Sequence, residues 1–138
     1  MTADEVIAAL RLEPHPEGGF FREIYRDFEG ARGVATSIYY LLREGEISRW
    51  HRVDAVEVWH FHAGAPLELE TADGQGDRRR HTLGMSFESG QEPQAVVPAR
   101  HWQSARPLGS WTLIGCTVAP AFSFDGFELA PEGWEPPR

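Results

Sequence analysis

Two periods organise the apolar positions of the chain. Only its start carries a helical one: Val6, Ile7 and Leu10 recur at the spacing that places side chains on one face of a helix. Thr2-Ala3-Asp4-Glu5 reads as a capping box, the Thr2 hydroxyl accepting from the Glu5 amide while the Glu5 carboxylate reaches back. Pro14 and Pro16 end any continuation. After that the pattern alternates. Short runs rich in aromatic and β-branched residues predict strands near Phe20–Tyr25, Val34–Leu42, Ile47–Val53, Glu57–His62, Leu67–Thr71, Arg80–Leu83, Gln94–Val97, Trp102–Ala105, Trp111–Val118 and Phe127–Leu129. Turn formers separate them, among them Glu44-Gly45, Val53-Asp54-Ala55 and Asp73-Gly74-Gln75-Gly76. No alternating helix–strand units occur, so a parallel α/β fold is disfavoured and an all-β sandwich or barrel with a short N-terminal helix is predicted.

Composition bounds this picture. With 138 residues, 41% hydrophobic and 25% charged, the chain is read as one globular domain over residues 1–138, able to bury a core without a disulfide or a metal. Its net charge of −8 repels phosphate backbones and anionic bilayers, so neither nucleic acid nor membrane is an expected partner. Arg78-Arg79-Arg80-His81 is the local exception, read as a solvated hairpin tip. Cys116, the single cysteine, sits in the apolar run Trp111–Val118 and reads as a buried, inert thiol. No basic N-terminal region leads into an apolar run and no membrane-length apolar stretch exists, so a cytoplasmic location is expected. The tail from Pro131 to Arg138, with three prolines, is expected to lie over the surface.

Candidate chemistry concentrates between Gly45 and Gly64. Strand alternation puts Glu57, Trp59 and Phe61 on one face and Val58, His60 and His62 on the other. Arg49, His51 and Val53 share a face of the preceding strand. A tight turn at Asp54-Ala55 would pair the two strands and let His51 and Glu57 look into one cavity. His60 and His62, two apart, have a chelating spacing but read as solvent- or dimer-facing; His15 and His101 read as loop residues.

These positions carry a resemblance. Gly45, His51, Glu57 and Gly64 stand at the spacing of the first cupin motif, Gly-x5-His-x-His-x3-Glu-x6-Gly, with Val53 in place of the second histidine. Pro98-Ala99-Arg100-His101-Trp102-Gln103 falls where Pro-x-Gly-x2-His stands, with Arg100 for glycine and Gln103 for histidine. His15-Pro16-Glu17-Gly18-Gly19-Phe20-Phe21-Arg22-Glu23, Ser37 to Leu42, Glu57 to Phe61, Pro66 to Leu69, Pro93 to Pro98 and Gly115 to Pro120 resemble, in order, the fifth of the numbered cupin families, a small uncharacterised one. The resemblance covers about residues 12–130 and implies a jelly-roll β-sandwich that is usually a homodimer. The family has no agreed reaction; in shape it is similar to sugar-nucleotide epimerases and isomerases and to seed-storage cupins.

The resemblance implies a ligand set of His51, Val53, Glu57 and Gln103. Val53 cannot ligate and a glutamine carbonyl is weak, so no metal cofactor is expected; a divalent transition metal is the less favoured alternative. Without one, His51 beside Glu57 reads as a general base for proton abstraction next to a carbonyl, with Tyr39 or Tyr40 as the opposing acid. Trp59 would line an apolar wall for a planar or sugar ring. Arg22 and Arg49 would hold an anionic group, and Gln103 would complete the pocket. Glu17-Gly18-Gly19 reads as a tight turn at the barrel rim. The expected function is a metal-independent isomerase or epimerase acting on a small polar metabolite, such as a nucleotide or sugar derivative; the alternatives are a non-catalytic ligand-binding cupin and a metal-dependent enzyme. The expected partners are a small-molecule ligand and a second copy of the chain, paired through the strand around Phe20–Tyr25.

Overall fold

The structure is a computed structural model that describes residues 1–138. One helix, α1 (Ala3–Leu10), precedes eleven strands: β1 (Glu13–Pro14), β2 (Phe20–Arg26), β3 (Thr36–Arg43), β4 (Ser48–Val53), β5 (Val56–Gly64), β6 (Leu67–Ala72), β7 (Arg78–Leu83), β8 (Gln94–Val97), β9 (Trp102–Pro107), β10 (Trp111–Ala119) and β11 (Phe127–Leu129). The capping box forms, with the Glu5 amide donating to Thr2 Oγ1 at 3.2 Å and the Thr2 amide to Glu5 Oε1 at 3.0 Å. Val6 is buried and, with Ile7 and Leu10, seats the helix on Leu41 of β3. The helix stops where Arg11 turns left-handed and returns its amide to Ala8 and Ile7.

The strands form two antiparallel sheets, β1-β2-β3-β10-β5-β8 and β11-β4-β9-β6-β7. Each of the ten strands read from alternation is present; β1 is added to them. The sheets pack face to face as a sandwich, and their inner faces supply the core: Tyr40, Leu42, Trp59, Leu67, Leu69, Leu83, Val97 and Ile114. The Arg78–His81 run lies along edge strand β7 rather than on the hairpin tip, which is Asp73–Asp77. The tail lies on the outside of the second sheet, the Trp134 ring 4.5 Å from that of Trp102. No helix is long and apolar enough to cross a membrane.

One local expectation is overturned. β4 and β5 do not pair. β4 bonds to β9 and β11, while β5 bonds to β10 and β8, so the Val53-Asp54-Ala55 turn carries the chain from one sheet to the other. Val53 and Ala55 are both buried, with Val118, where the turn closes the sandwich. His51 and Glu57 therefore face each other from opposite layers rather than side by side in one sheet.

Candidate functional site

A cavity of about 560 Å³, mouth included, lies between the sheets beside that crossover. Its floor is polar: Glu17, His51, Glu57 and Cys116, each under a tenth exposed. Its walls are apolar, with Phe21, Ile38, Val53, Val118, Phe122 and Phe127. Phe124, more than half exposed, stands at the mouth near Glu23 and Arg26. These last two neutralise each other through a two-pronged contact of 2.8 and 2.9 Å.

His51 reaches the floor from β4. Both its nitrogens face acceptors: Nδ1 is 2.7 Å from the Arg49 carbonyl oxygen and Nε2 is 3.0 Å from Glu17 Oε2. Both therefore donate, and the ring is an imidazolium. Burial alone would push its pKa down, but the Glu17 charge and hydrogen bond, helped by Glu57 and the Arg49 carbonyl, raise it from 6.5 to about 9. Burial likewise presses the Glu17 carboxyl upward, yet the His51 charge and hydrogen bond outweigh it and hold Glu17 below its ordinary value. The general-base role expected of His51 does not fit this geometry, because neither nitrogen keeps a lone pair for an incoming proton.

Glu17 comes from the His15–Gly19 loop, where the Glu-Gly-Gly run by itself predicts only a rim turn. Gly18, at φ +109°, lies so close to the second sheet that a Cβ there would collide with the Ile47 carbonyl oxygen. The Arg49 amide donates to the Glu17 carbonyl at 2.9 Å and the Tyr40 hydroxyl donates to that of Gly18. Pinned on both sides, the loop turns the Glu17 side chain inward. The same loop supplies His15, whose ring packs on Phe21 at 4.5 Å. The Glu17 amide donates to His15 Nδ1 at 3.1 Å, which fixes the tautomer with the proton on Nε2. Burial, opposed by Glu17, lowers the His15 pKa, so that ring is neutral.

Glu57 comes from the opposite layer. Gln103 Nε2 donates to its Oε1 at 2.9 Å, and Gln103 Oε1 in turn accepts from Trp59 Nε1 at 2.8 Å. Burial raises the Glu57 pKa from 4.5 to about 6, the His51 charge pulling it back and that of Glu17 adding to the rise. Glu57 is thus the floor group whose proton is poised near neutrality. Burial, reinforced by Glu57 and Glu17, pushes the Cys116 thiol up, so it stays protonated.

The other expected residues fall elsewhere. Gln103 and Trp59 are buried behind Glu57 and hold it, without lining the cavity. Tyr39 faces outward, its ring 6.2 Å from His62 on the outer face of the first sheet. Tyr40 faces inward, but its hydroxyl is committed to Gly18. Arg22 lies in register with Tyr39 on that outer face and donates to the Leu10 carbonyl at 3.1 Å. Arg49 leaves the His51 face because β4 carries a bulge: Ser48 pairs with Ala105 and His51 with Gln103, three residues against two. Its guanidinium turns to the Ala130 carbonyl at 2.9 Å.

The metal set implied by the resemblance does not fit. His51 has both nitrogens engaged, Val53 offers no donor, and the Gln103 amide is spent between Glu57 and Trp59. No three or more His, Cys, Asp or Glu side chains are grouped to hold a metal ion.

A two-sheet jelly roll with a polar pocket between its layers defines the chain as a cupin-type protein. The family model described as "Cupin superfamily (DUF985)" matches residues 4–130, and the chain belongs to that family. It is similar to protein SO0799 from Shewanella oneidensis, at 40% identity and TM-score 0.90, over 94% of this chain and 85% of that one. A hypothetical protein from Leishmania major is also similar, at 28% identity and TM-score 0.88, over 94% and 88%. Oxalate decarboxylase from Bacillus subtilis shares the fold at 16% identity and TM-score 0.67, over 84% of this chain and 29% of that one. No curated protein matches the chain.

Proposed function

We propose that the chain binds a small, neutral, ring-bearing metabolite between its sheets and isomerises it by metal-independent proton transfer, with Glu57 as the acid–base group. The observation that carries this reading is a buried carboxyl with a pKa of about 6 on the cavity floor, next to an imidazolium that cannot itself take the proton. Glu57 as carboxylate removes a proton from the carbon beside a carbonyl. The electron pair moves into the carbon–carbon bond, and the carbonyl oxygen becomes an enolate oxygen. The His51 imidazolium supplies the compensating charge in a low-dielectric site, and the neutral His15 offers its Nε2 proton. Glu57 then returns its proton to the enolate oxygen, giving the enol tautomer, and the site is regenerated with no oxidant, reductant or co-reactant.

Isomerisation on one face is favoured over epimerisation, which needs an acid on the opposite face. Tyr40 is held by Gly18 and Tyr39 lies outside. A neutral ligand is favoured over a nucleotide or sugar phosphate. Glu17 and His51 cancel, Glu23 and Arg26 cancel, and ionised Glu57 leaves the pocket negative, while the walls carry phenyl rings. The pairing of two copies stays within this reading: β1 covers only Phe20 and Phe21 of β2, and Ile24 and Tyr25 beyond them are exposed.

The test is deuterium exchange. A panel of neutral cyclic and aryl carbonyl compounds is incubated with the protein in heavy water and followed by NMR. Protein-dependent exchange next to the carbonyl, rising with pH through about 6 and absent in Glu57→Gln, is expected. Saturable binding without exchange would establish the non-catalytic ligand-binding alternative, and absence of both would overturn the reading.

A further inference from the structure

The roomiest hollow of the protein is not the inner cavity. A cleft of about 850 Å³, mouth included, lies on the outer face of the second sheet, roofed by the C-terminal tail. Ile47, Arg49, Trp50 and Ser104 form its base and Ala130–Glu135 its roof. The tail is tied to the sheet at Ala130, whose amide donates to the Trp50 carbonyl at 2.9 Å, and is held further along by Trp134 on Trp102 and Glu135 beside Arg78. The family match ends at residue 130, so most of the roof lies outside it.

The cleft holds a charge without a counter-charge. Arginines elsewhere on this sheet sit against carboxylates: Arg78 on Glu70 at 2.8 Å, Arg52 on Glu128 at 2.8 Å, Arg106 on Glu68 at 3.2 Å. Arg49, half-buried, makes no ion pair; its one side-chain hydrogen bond, from Nη2 to the Ala130 carbonyl, leaves the rest of the fork free. The free N–H groups of this half-buried fork reach solvent at the cleft, where an acceptor or an anion can meet them. The acids nearby are mostly taken: Glu17 by His51, Glu135 by Arg78 at 3.7 Å and Arg138 at 3.8 Å. Glu132, on the exposed roof, is the remaining competitor. Beside the fork stand two indoles, Trp50, with Arg78 over its ring at 5.3 Å, and Trp134, seated against Trp102.

We propose that this cleft binds a small planar organic anion, its carboxylate or phosphate on the Arg49 fork and its ring against Trp50 and Trp134. Guanidinium matches both anionic groups through two parallel hydrogen bonds, and indole faces suit a flat ring. This site takes charge where the inner cavity refuses it, and Glu17, whose residue borders both, is the wall between them.

The test is an NMR titration of the full chain, labelled with nitrogen-15, with benzoate and separately with phenyl phosphate. Saturable shifts of the Arg49 Nε–H and of the Trp50 and Trp134 indole N–H signals are expected. Arg49→Met should weaken binding about tenfold or more, Trp134→Ala by less, and Glu57→Gln not at all. Non-saturating shifts, equal binding by Arg49→Met, or shifts centred on Phe127 and Glu57 would each overturn the proposal. Should Arg49→Met not fold, the wild-type shift map and Trp134→Ala decide the outcome alone. Since Glu57→Gln reads out only the inner cavity, loss of proton transfer there leaves this result untouched.

Discussion

The two ends of the sandwich share their strands and differ in what they enclose. At one end Trp59, Leu67, Leu69, Leu83 and Ile114 are fully buried and fill the space between the layers. At the other, β4, β5 and β10 continue into His51, Glu57 and Cys116 around a hollow. Along β5 only Val58 separates Trp59, the last large core side chain, from the Glu57 carboxyl. Gln103 is the joint, one face of its amide on Trp59 and the other on Glu57. The difference teaches where the strain of a charged interior is borne. Desolvated charges stabilise little even when paired, so the packed end supplies the stability that lets the hollow end hold three ionisable groups in fixed places.

Four substitutions sharpen this contrast. The largest effect is expected at the hollow end, from Glu17→Gln. It leaves the buried imidazolium without its counter-ion, and breaking one side of such a pair costs about 3–5 kcal/mol in urea unfolding at pH 7. Its signature is in pH. The wild-type contribution of His51 is fully present below pH 6.5 and lost as pH rises through about 9, because its folded pKa is raised; that slope should vanish in Glu17→Gln. At the packed end Leu69→Ala removes a fully buried side chain and should cost about 2–5 kcal/mol, with no new dependence on pH. A single substitution at the hollow end should do the opposite. The folded pKa of Glu57 is also raised, so its contribution is present below 4.5 and lost as pH rises through about 6. Glu57→Gln should therefore gain about 2 kcal/mol at pH 8 and nothing at pH 4 by the same measurement. The smallest effect belongs to Phe124→Ala at the mouth, within about 0.5 kcal/mol of wild type in stability, while its affinity for a ring-bearing ligand of the inner cavity falls.

Strands and sandwich were legible because alternation and turn residues are local signals, and the ordered blocks from His15 to Pro120 tied them to one family. The pocket was legible in part. His51 and Glu57 were found as inward residues, since period two survives wherever a strand is regular. What was lost is non-local or irregular. Glu17 lies 34 residues before His51, and only the tertiary fold brings the two together. The separation of β4 and β5 is not legible because a short turn between strands looks the same whether it stays in one sheet or passes to the other. One extra residue in β4 turns Arg49 off the face that alternation assigns it, a bulge without a composition signal. The sequence did contain a pointer to Glu17: a loop acid followed by two glycines, both at positive φ, is a segment built to lie against another piece of backbone.

That bare position also decides how the pocket can lose its charge. The anion inside the barrel depends on residue 18 having no side chain, since even one methyl group would lift the loop from Ile47 and draw its acid back toward solvent. A silent-looking exchange at the rim would thus erase the interior's electrical identity while every residue of the pocket stayed in place. The bare backbone at residue 18 thus fixes the charge of the pocket as firmly as the histidine it serves.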